Sequence, residues 1–254
     1  MQKRLEFPFL RHRKPYLMAH RGNKVNCPEN TMAAFRAALD ECADIIETDL
    51  HITVDGEIVC IHDATVDRTT NGTGAVNQMT LKTLKALSAS YGRETFAQER
   101  VPTLSELAAI LPEHVAIALE LKSDAFLDKK ALQDLIDVLN ATCVRNRTIV
   151  LSFSWARLMA VREYAPDLPL GWITLSSPRP PRGVQFLGPA WPILIRNPLY
   201  VLWAHRQGQL VCPLDPAPDK RLLYYRLLSC DAVLSDDPGS TNRALRRKER
   251  IPKP

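Results

Sequence analysis

The six cysteines, Cys27, Cys42, Cys60, Cys143, Cys212 and Cys230, contain no CxxC pair. Their spacing matches neither a zinc site nor a disulfide framework, so free thiols in a reducing cytosol are the simplest reading. A signal peptide is also missing: the one apolar patch near the start, Phe7 to Leu10, is short and interrupted by Pro8. No stretch is long and unbroken enough to span a bilayer. The most apolar region, residues 183–204, is broken by Pro189, Pro192, Pro198 and Arg196. It reads as buried strand, loop and short helix. No repeat of fixed period and no low-complexity segment is visible. Cationic residues are not clustered with aromatics, which argues against nucleic acid as a partner.

The balance that remains is that of an ordinary soluble protein, 46% hydrophobic and 24% charged. A length of 254 residues suits a single (β/α)₈ domain covering residues 1–254. The formal charge of +5 suits anionic substrates. Much of it lies at the ends, in Arg11, Arg13 and Lys14 and in Arg243, Arg246, Arg247, Lys248 and Arg250. These basic runs read as solvated tails, with a weak peripheral hold on anionic membrane lipid as the lesser alternative. Oligomeric state leaves no readable mark.

Short apolar runs alternate with longer segments of helical period, the pattern of parallel strands joined by helical crossovers. Strands are predicted at 16–19, 45–50, 115–121, 148–153, 169–173, 184–187, 210–212 and 232–235. Helices are predicted at about 31–43 with Asn30 as N-cap, from Thr103 with a capping box closed by Glu106, and at 129–142, 155–164, 198–207, 220–228 and 240–248. A ninth strand, 57–62, follows Asp55-Gly56, a strong hairpin signal, and is expected to fold back antiparallel. Eight parallel strands are left, the number a TIM barrel needs. Residues of about 63–100 then form a small insertion with one short helix at 81–87.

Three clusters end predicted strands, where barrels of this kind place their chemistry. His20-Arg21-Gly22 follows the first; the Arg21 guanidinium is a fork of donors suited to phosphate. Glu47 and Asp49, at i and i+2, project from one face of the second. Two carboxylates so placed repel each other unless a cation lies between them, and Ca²⁺ or Mg²⁺ is the natural compensator. Glu120 and Lys122 repeat the i, i+2 pattern on a third strand. A two-residue turn at Asp55-Gly56 would set Asp49 opposite His62, bringing that imidazole level with the carboxylates. Each cluster alone could be an ordinary surface ion pair or packed side chain. Together, two His, three carboxylates, one Arg and one Lys suit phosphodiester cleavage: one His takes a proton, the other gives one, and cations stabilise the phosphoryl oxygens.

Ala19-His20-Arg21-Gly22, Pro28-Glu29-Asn30-Thr31, Glu47-Thr48-Asp49, Asp55-Gly56, His62-Asp63, Asp67-Arg68-Thr69-Thr70 with Gly72 and Gly74, and Glu120-Leu121-Lys122 resemble, in order and spacing, the glycerophosphodiester phosphodiesterase family. The resemblance covers about residues 16–122. It implies a TIM barrel with an insertion after the His62 hairpin, and His20 and His62 as general acid and base. It also implies a divalent cation, Mg²⁺ or Ca²⁺, on Glu47, Asp49 and Glu120, with Arg21 and Lys122 toward the phosphate. The implied reaction releases sn-glycerol 3-phosphate and an alcohol from a small glycerophosphodiester; some members instead act on lysophospholipids. In the second half Ser152-Phe153 and Ser235-Asp236-Asp237-Pro238 resemble later strand ends. Where the family carries a Trp followed by Thr-Val-Asn, this chain has Cys212-Pro213-Leu214-Asp215, which bears on head-group preference; Trp172 is the best-placed substitute. The alternatives are a lysophospholipase D or other membrane-directed phospholipase, and a phosphodiester-binding protein without chemistry, against which the intact His pair and carboxylate trio speak.

Overall fold

The computed structural model describes Leu10 and residues 12–246. Apolar runs rich in Ile, Val and Leu form the strands β1 (Tyr16–His20), β2 (Ile45–Ile52), β3 (Ile58–Cys60), β4 (Ala116–Leu121), β5 (Thr148–Ser152), β6 (Leu170–Thr174), β7 (Phe186–Pro189), β8 (Leu210–Val211) and β9 (Ala232–Ser235). All but β3 are parallel, in the order β8-β7-β6-β5-β4-β2-β1-β9. The two end strands meet through single backbone hydrogen bonds, Asp231 N–H to the Val211 carbonyl and Asp236 N–H to the Pro216 carbonyl, each 2.8 Å. The result is a nearly closed eight-stranded barrel, as expected.

Helices surround it: α1 (Met32–Asp40), α2 (Leu81–Ala86), α3 (Leu104–Ile110), α4 (Lys129–Ala141), α5 (Trp155–Tyr164), α6 (Trp191–Arg196), α7 (Tyr200–Arg206), α8 (Leu222–Leu227) and α9 (Pro238–Arg246). The Thr103–Glu106 capping box starts α3 as predicted. Strand parity sorts the side chains. Met18, Ile45, Ala118, Ile149, Leu151 and Ile173 fill the barrel interior. Leu17, Ile46, Ile117, Leu119 and Val150 point outward and meet the helices. The interior is packed rather than open: a Cβ on Gly171 would lie 2.3 Å from a Leu151 methyl carbon.

The insertion builds a satellite core from Val66, Val76, Leu84 and Ala89 against Val59 and Ile61 of the hairpin. Its register departs from expectation. Leu50 pairs with Cys60 and Ile52 with Ile58, so Ile61, not His62, stands opposite Asp49. The loop contains three residues, Val54, Asp55 and Gly56, with Thr53 N–H bonded to the Glu57 carbonyl and Gly56 at φ +88°. That is the three-residue hairpin with a left-handed final residue, and the extra residue moves every pair by one.

Other expectations are also corrected. Thr31, not Asn30, caps α1, accepting from Ala34 N–H; Asn30 is left-handed at φ +52° and turns its side chain elsewhere. The sixth parallel strand, β7, runs two residues later than predicted, because Gly188 and Pro189 pair with Ile173 and Thr174 instead of making a turn. The basic ends are not simply tails: Lys14 pairs with buried Asp231 at 2.6 Å, and Arg246 lies 3.6 Å from buried Asp44. Arg11, Arg247, Lys248 and Arg250 lie outside the described residues.

Candidate active site at the barrel mouth

The acidic residues owe their place to register. Glu47 stands beside His20 across β1–β2, and Asp49 beside Glu120 across β2–β4. Each shares the parity of the interior residues below it, so the polar groups crown an apolar barrel core. One ligand atom from each of Glu47, Asp49 and Glu120 can be chosen so that all three lie within 4.8 Å of one another. All three are buried.

Burying like charges this closely is costly. Burial, then Asp49 and Glu120, push the Glu47 carboxyl well above its usual range. Burial, then Asp49, also raises Glu120. Burial would raise Asp49 too, but Arg21 and Lys122 outweigh it and its pKa falls. Lys122 Nζ lies 2.7 Å from Glu120 Oε1 and 3.2 Å from Asp49 Oδ1. Arg21 Nε lies 2.9 Å from Asp49 Oδ2. These two contacts to Asp49 are ion pairs by distance. Arg21 Nε and Asp49 Oδ1 nonetheless remain buried without an aligned hydrogen bond. Three carboxylates thus face two cationic side chains, with a buried carboxylate oxygen left unsatisfied. That donor set, all oxygen and in surplus negative charge, fits a hard divalent cation.

Arg21 is bent at φ +59°, and its own N–H donates to Glu47 Oε2 at 3.0 Å. Gly22, at φ +79°, lies so close to α1 that a Cβ would come 2.5 Å from the Ala34 carbonyl carbon. The chain therefore turns tightly after β1, which holds Arg21 over the carboxylates. Its guanidinium also donates to Glu29 at 3.0 Å.

Both histidines are oriented by a carboxylate on Nδ1. His20 Nδ1 lies 2.6 Å from Asp236 Oδ1, just past β9, and His62 Nδ1 lies 2.6 Å from Asp63 Oδ1. An ionised carboxylate only accepts, so each Nδ1 carries the proton and Nε2 is left with its lone pair. β3 has ended at Cys60, and this frees Asp63 to reach back to the ring of its own neighbour. Burial, opposed by Asp236, lowers the His20 pKa. His20, Glu47 and Glu120 line one cavity, whose remaining wall is apolar and includes Leu151, Ile173, Phe186, Pro213 and Leu214. His62 is absent from that lining, but it lies near enough to Asp49 to help lower the pKa of that carboxyl.

Several residues with no role in the site assigned from sequence support it. Asp236 orients His20, and its signal was a carboxylate directly after the last strand. Asn30 donates to Asp49 Oδ2 at 3.0 Å and accepts from the Thr48 hydroxyl at 2.8 Å. His51, two residues beyond Asp49 on the same face, lies with Nε2 3.2 Å from the His62 carbonyl. Arg68 clamps Asp63 at 2.6 Å and Glu29 at 2.8 Å, tying the insertion to the site. Trp172 does not substitute for the absent aromatic. Its strand position points outward, where it packs edge-on against Trp155 with centroids 5.8 Å apart.

The profile of the glycerophosphoryl diester phosphodiesterase family matches residues 20–240. A glycerophosphodiester phosphodiesterase of Caldanaerobacter subterraneus subsp. tengcongensis is 42% identical over 161 residues, 62% of this chain and 66% of that protein. The match thus spans just under two thirds of that relative. A Mycobacterium tuberculosis protein named probable glycerophosphodiester phosphodiesterase 1 is 34% identical over 78% of this chain and 80% of its own. Among solved structures, a glycerophosphodiester phosphodiesterase from Agrobacterium tumefaciens superposes with a TM-score of 0.77 at 25% identity, covering 89% of this chain and 98% of that one. A phosphodiesterase from Oleispira antarctica, solved with the product sn-glycerol-3-phosphate, shares the fold at a TM-score of 0.81 and 24% identity, covering 91% of this chain and 96% of that one.

Proposed function

This chain belongs to the glycerophosphoryl diester phosphodiesterase family, and from that premise we propose that it hydrolyses glycerophosphodiesters to sn-glycerol 3-phosphate and an alcohol. The observation that carries the reading is the buried trio Glu47, Asp49 and Glu120, two of which, Glu47 and Glu120, line one cavity with His20. We read residues 1–254 as one barrel domain, with the excursion at about 63–100 flanking the site.

Glu47, Asp49 and Glu120 would hold a divalent cation, Mg²⁺ or Ca²⁺. Once bound, that ion neutralises charge on the phosphoryl oxygens. Arg21 and Lys122 lie against the carboxylates and face the same charge; as cations they orient the phosphodiester and oppose its charge build-up. His20 and His62 share the proton work through their Nε2 atoms. One accepts the proton of the attacking oxygen and the other protonates the departing alkoxide. The attacking oxygen is water, or the glycerol hydroxyl adjacent to the phosphate; a cyclic phosphate trapped early in turnover marks the second.

A second reading, action on lysophospholipids or other membrane glycerolipids, is favoured by the aliphatic wall of the cavity, Leu151, Ile173 and Leu214. The six free thiols suit a reducing cytosol as the working compartment. Product release from glycerophosphocholine, glycerophosphoethanolamine and lysophosphatidylcholine, each with Mg²⁺, Ca²⁺ and chelator, tests these readings. Glycerol 3-phosphate formed only with metal is the expected result. Cleavage of the lysolipid alone selects the second reading. Silence with all three under every condition leaves a phosphodiester-binding protein.

A further inference from the structure

From Leu168 to Leu214 the chain carries no acidic residue, but it carries Arg179, Arg182, Arg196 and Arg206. Within it, the apolar side chains of residues 183–204 are expected from the sequence to be core. The structure buries only some of them. Ile195 is 54% exposed, Leu199 51% and Leu202 45%, and Leu175 before them 67%. Leu199 and Leu202 lie three apart and share a helix face with exposed Arg206, four further on. The neighbouring α8 adds Leu223 and Leu227, 65% and 75% exposed.

These segments adjoin one another. Asn197, between α6 and α7, donates to the Pro178 carbonyl at 2.8 Å, which joins the β6–β7 loop to the helix pair. Tyr224 of α8 donates to the Leu194 carbonyl at 2.8 Å. Arg221 covers the Trp191 ring at 4.3 Å. The surface also reaches the site: Trp191, the first residue of α6, bonds through its N–H to the carbonyl of Leu214, a cavity-lining residue.

Aliphatic side chains standing out from a loop and three helices that carry arginines and no acidic residue of their own call for an occupant that is both apolar and anionic. A second copy of the chain would bring the same arginines face to face. Nucleic acid would leave the leucines and isoleucine without a role. We propose that the β6–β7 loop with α6, α7 and α8 docks on an anionic phospholipid bilayer, inserting these apolar side chains between headgroups and setting the barrel mouth beside the membrane. This concerns binding alone, so its test is independent of which phosphodiester the site cleaves.

The test is co-sedimentation of the full chain with vesicles of phosphatidylcholine alone or mixed with phosphatidylglycerol. Binding to the mixed vesicles, weakened by salt, is the expected result. The double variant Ile195→Asp/Leu199→Asp should bind them at least about tenfold more weakly, since each side chain withdraws apolar area from the bilayer. Its turnover of glycerophosphocholine should match the wild type, showing an intact fold and site. Arg179→Glu/Arg182→Glu should cut binding and flatten its salt dependence. A wild type that leaves both vesicle types unbound overturns the proposal. So does a concentration-dependent dimer that the Ile195→Asp/Leu199→Asp variant abolishes, which would assign the surface to a second copy.

Discussion

His20 and His62 are built alike, each with Nδ1 against a carboxylate, but their surroundings differ: His20 is buried and His62 half-exposed. If both move protons, His20→Ala and His62→Ala should each lower kcat by about 10² or more; near-normal turnover in either variant removes that residue from the mechanism. Asp236 tests the orientation more finely. It raises the His20 pKa, by its hydrogen bond and by its charge, against the lowering effect of burial. Asp236→Asn should therefore move the His20 limb of the kcat/KM profile to lower pH, whether His20 acts as base on the acid limb or as acid on the alkaline one. An activity loss with both limbs unmoved would make Asp236 merely structural. Glu120 answers to a different readout. As a cation ligand, its change to Gln should raise the metal concentration needed for half-maximal activity, and an unchanged titration would count against it.

At the scale of elements, one arginine ties the insertion to the catalytic end of the barrel, beside the apolar packing that seats it on the hairpin. Arg68 holds Asp63 and Glu29, and Glu29 holds Arg21. The Arg68 guanidinium, helped by His62, lowers the Asp63 pKa. Burial would raise Glu29, but Arg68 and Arg21 reverse that and its pKa also falls. Carboxyls depressed in the folded state stabilise it above their unfolded values of about 4, and that stability is lost as pH falls through the folded values. Urea midpoints should therefore drop below about pH 4, and Arg68→Ala should make the drop shallower while lowering the midpoint at pH 7. Equal pH slopes in the two proteins would refute the tether. The sequence made the strands legible because parity needs no tertiary knowledge: Ile45, Glu47 and Asp49 fall on one face by counting alone. The hairpin register was not legible, since Asp55-Gly56 suits a two-residue or a three-residue loop equally, and one residue separates Ile61 from His62. Asn30 looked like a cap because caps and left-handed turn residues share the same side chains. The roles of Arg68 and Asp236 were not legible because Glu29 and His20, which they hold at the site, lie far along the chain. The exposed face of α6 and α7 was misread because apolar composition carries no information about what covers it.

The whole molecule stores an electrostatic conflict at its mouth and a packed apolar core below it. A divalent cation that settles on Glu47, Asp49 and Glu120 binds only the folded chain, so it should stabilise the entire barrel by mass action. At a hundredfold excess over Kd the gain is about 2.7 kcal/mol. For a chain of this length that corresponds to a rise in Tm on the order of 5–10 °C. Glu47→Gln separates this effect from general salt stabilisation. The Glu47 carboxyl is raised well above its ordinary range, so its stability cost grows as pH rises above the unfolded value. Replacing it with a neutral isostere removes that cost along with one ligand. The variant in chelator should therefore melt no lower than the wild type in chelator, and should gain little from Mg²⁺ or Ca²⁺. Thermal melts of both proteins with each ion and with chelator decide the matter. A variant that melts lower without metal, yet rises as much as wild type with it, would place the cation elsewhere and leave the three carboxylates held by Arg21 and Lys122 alone.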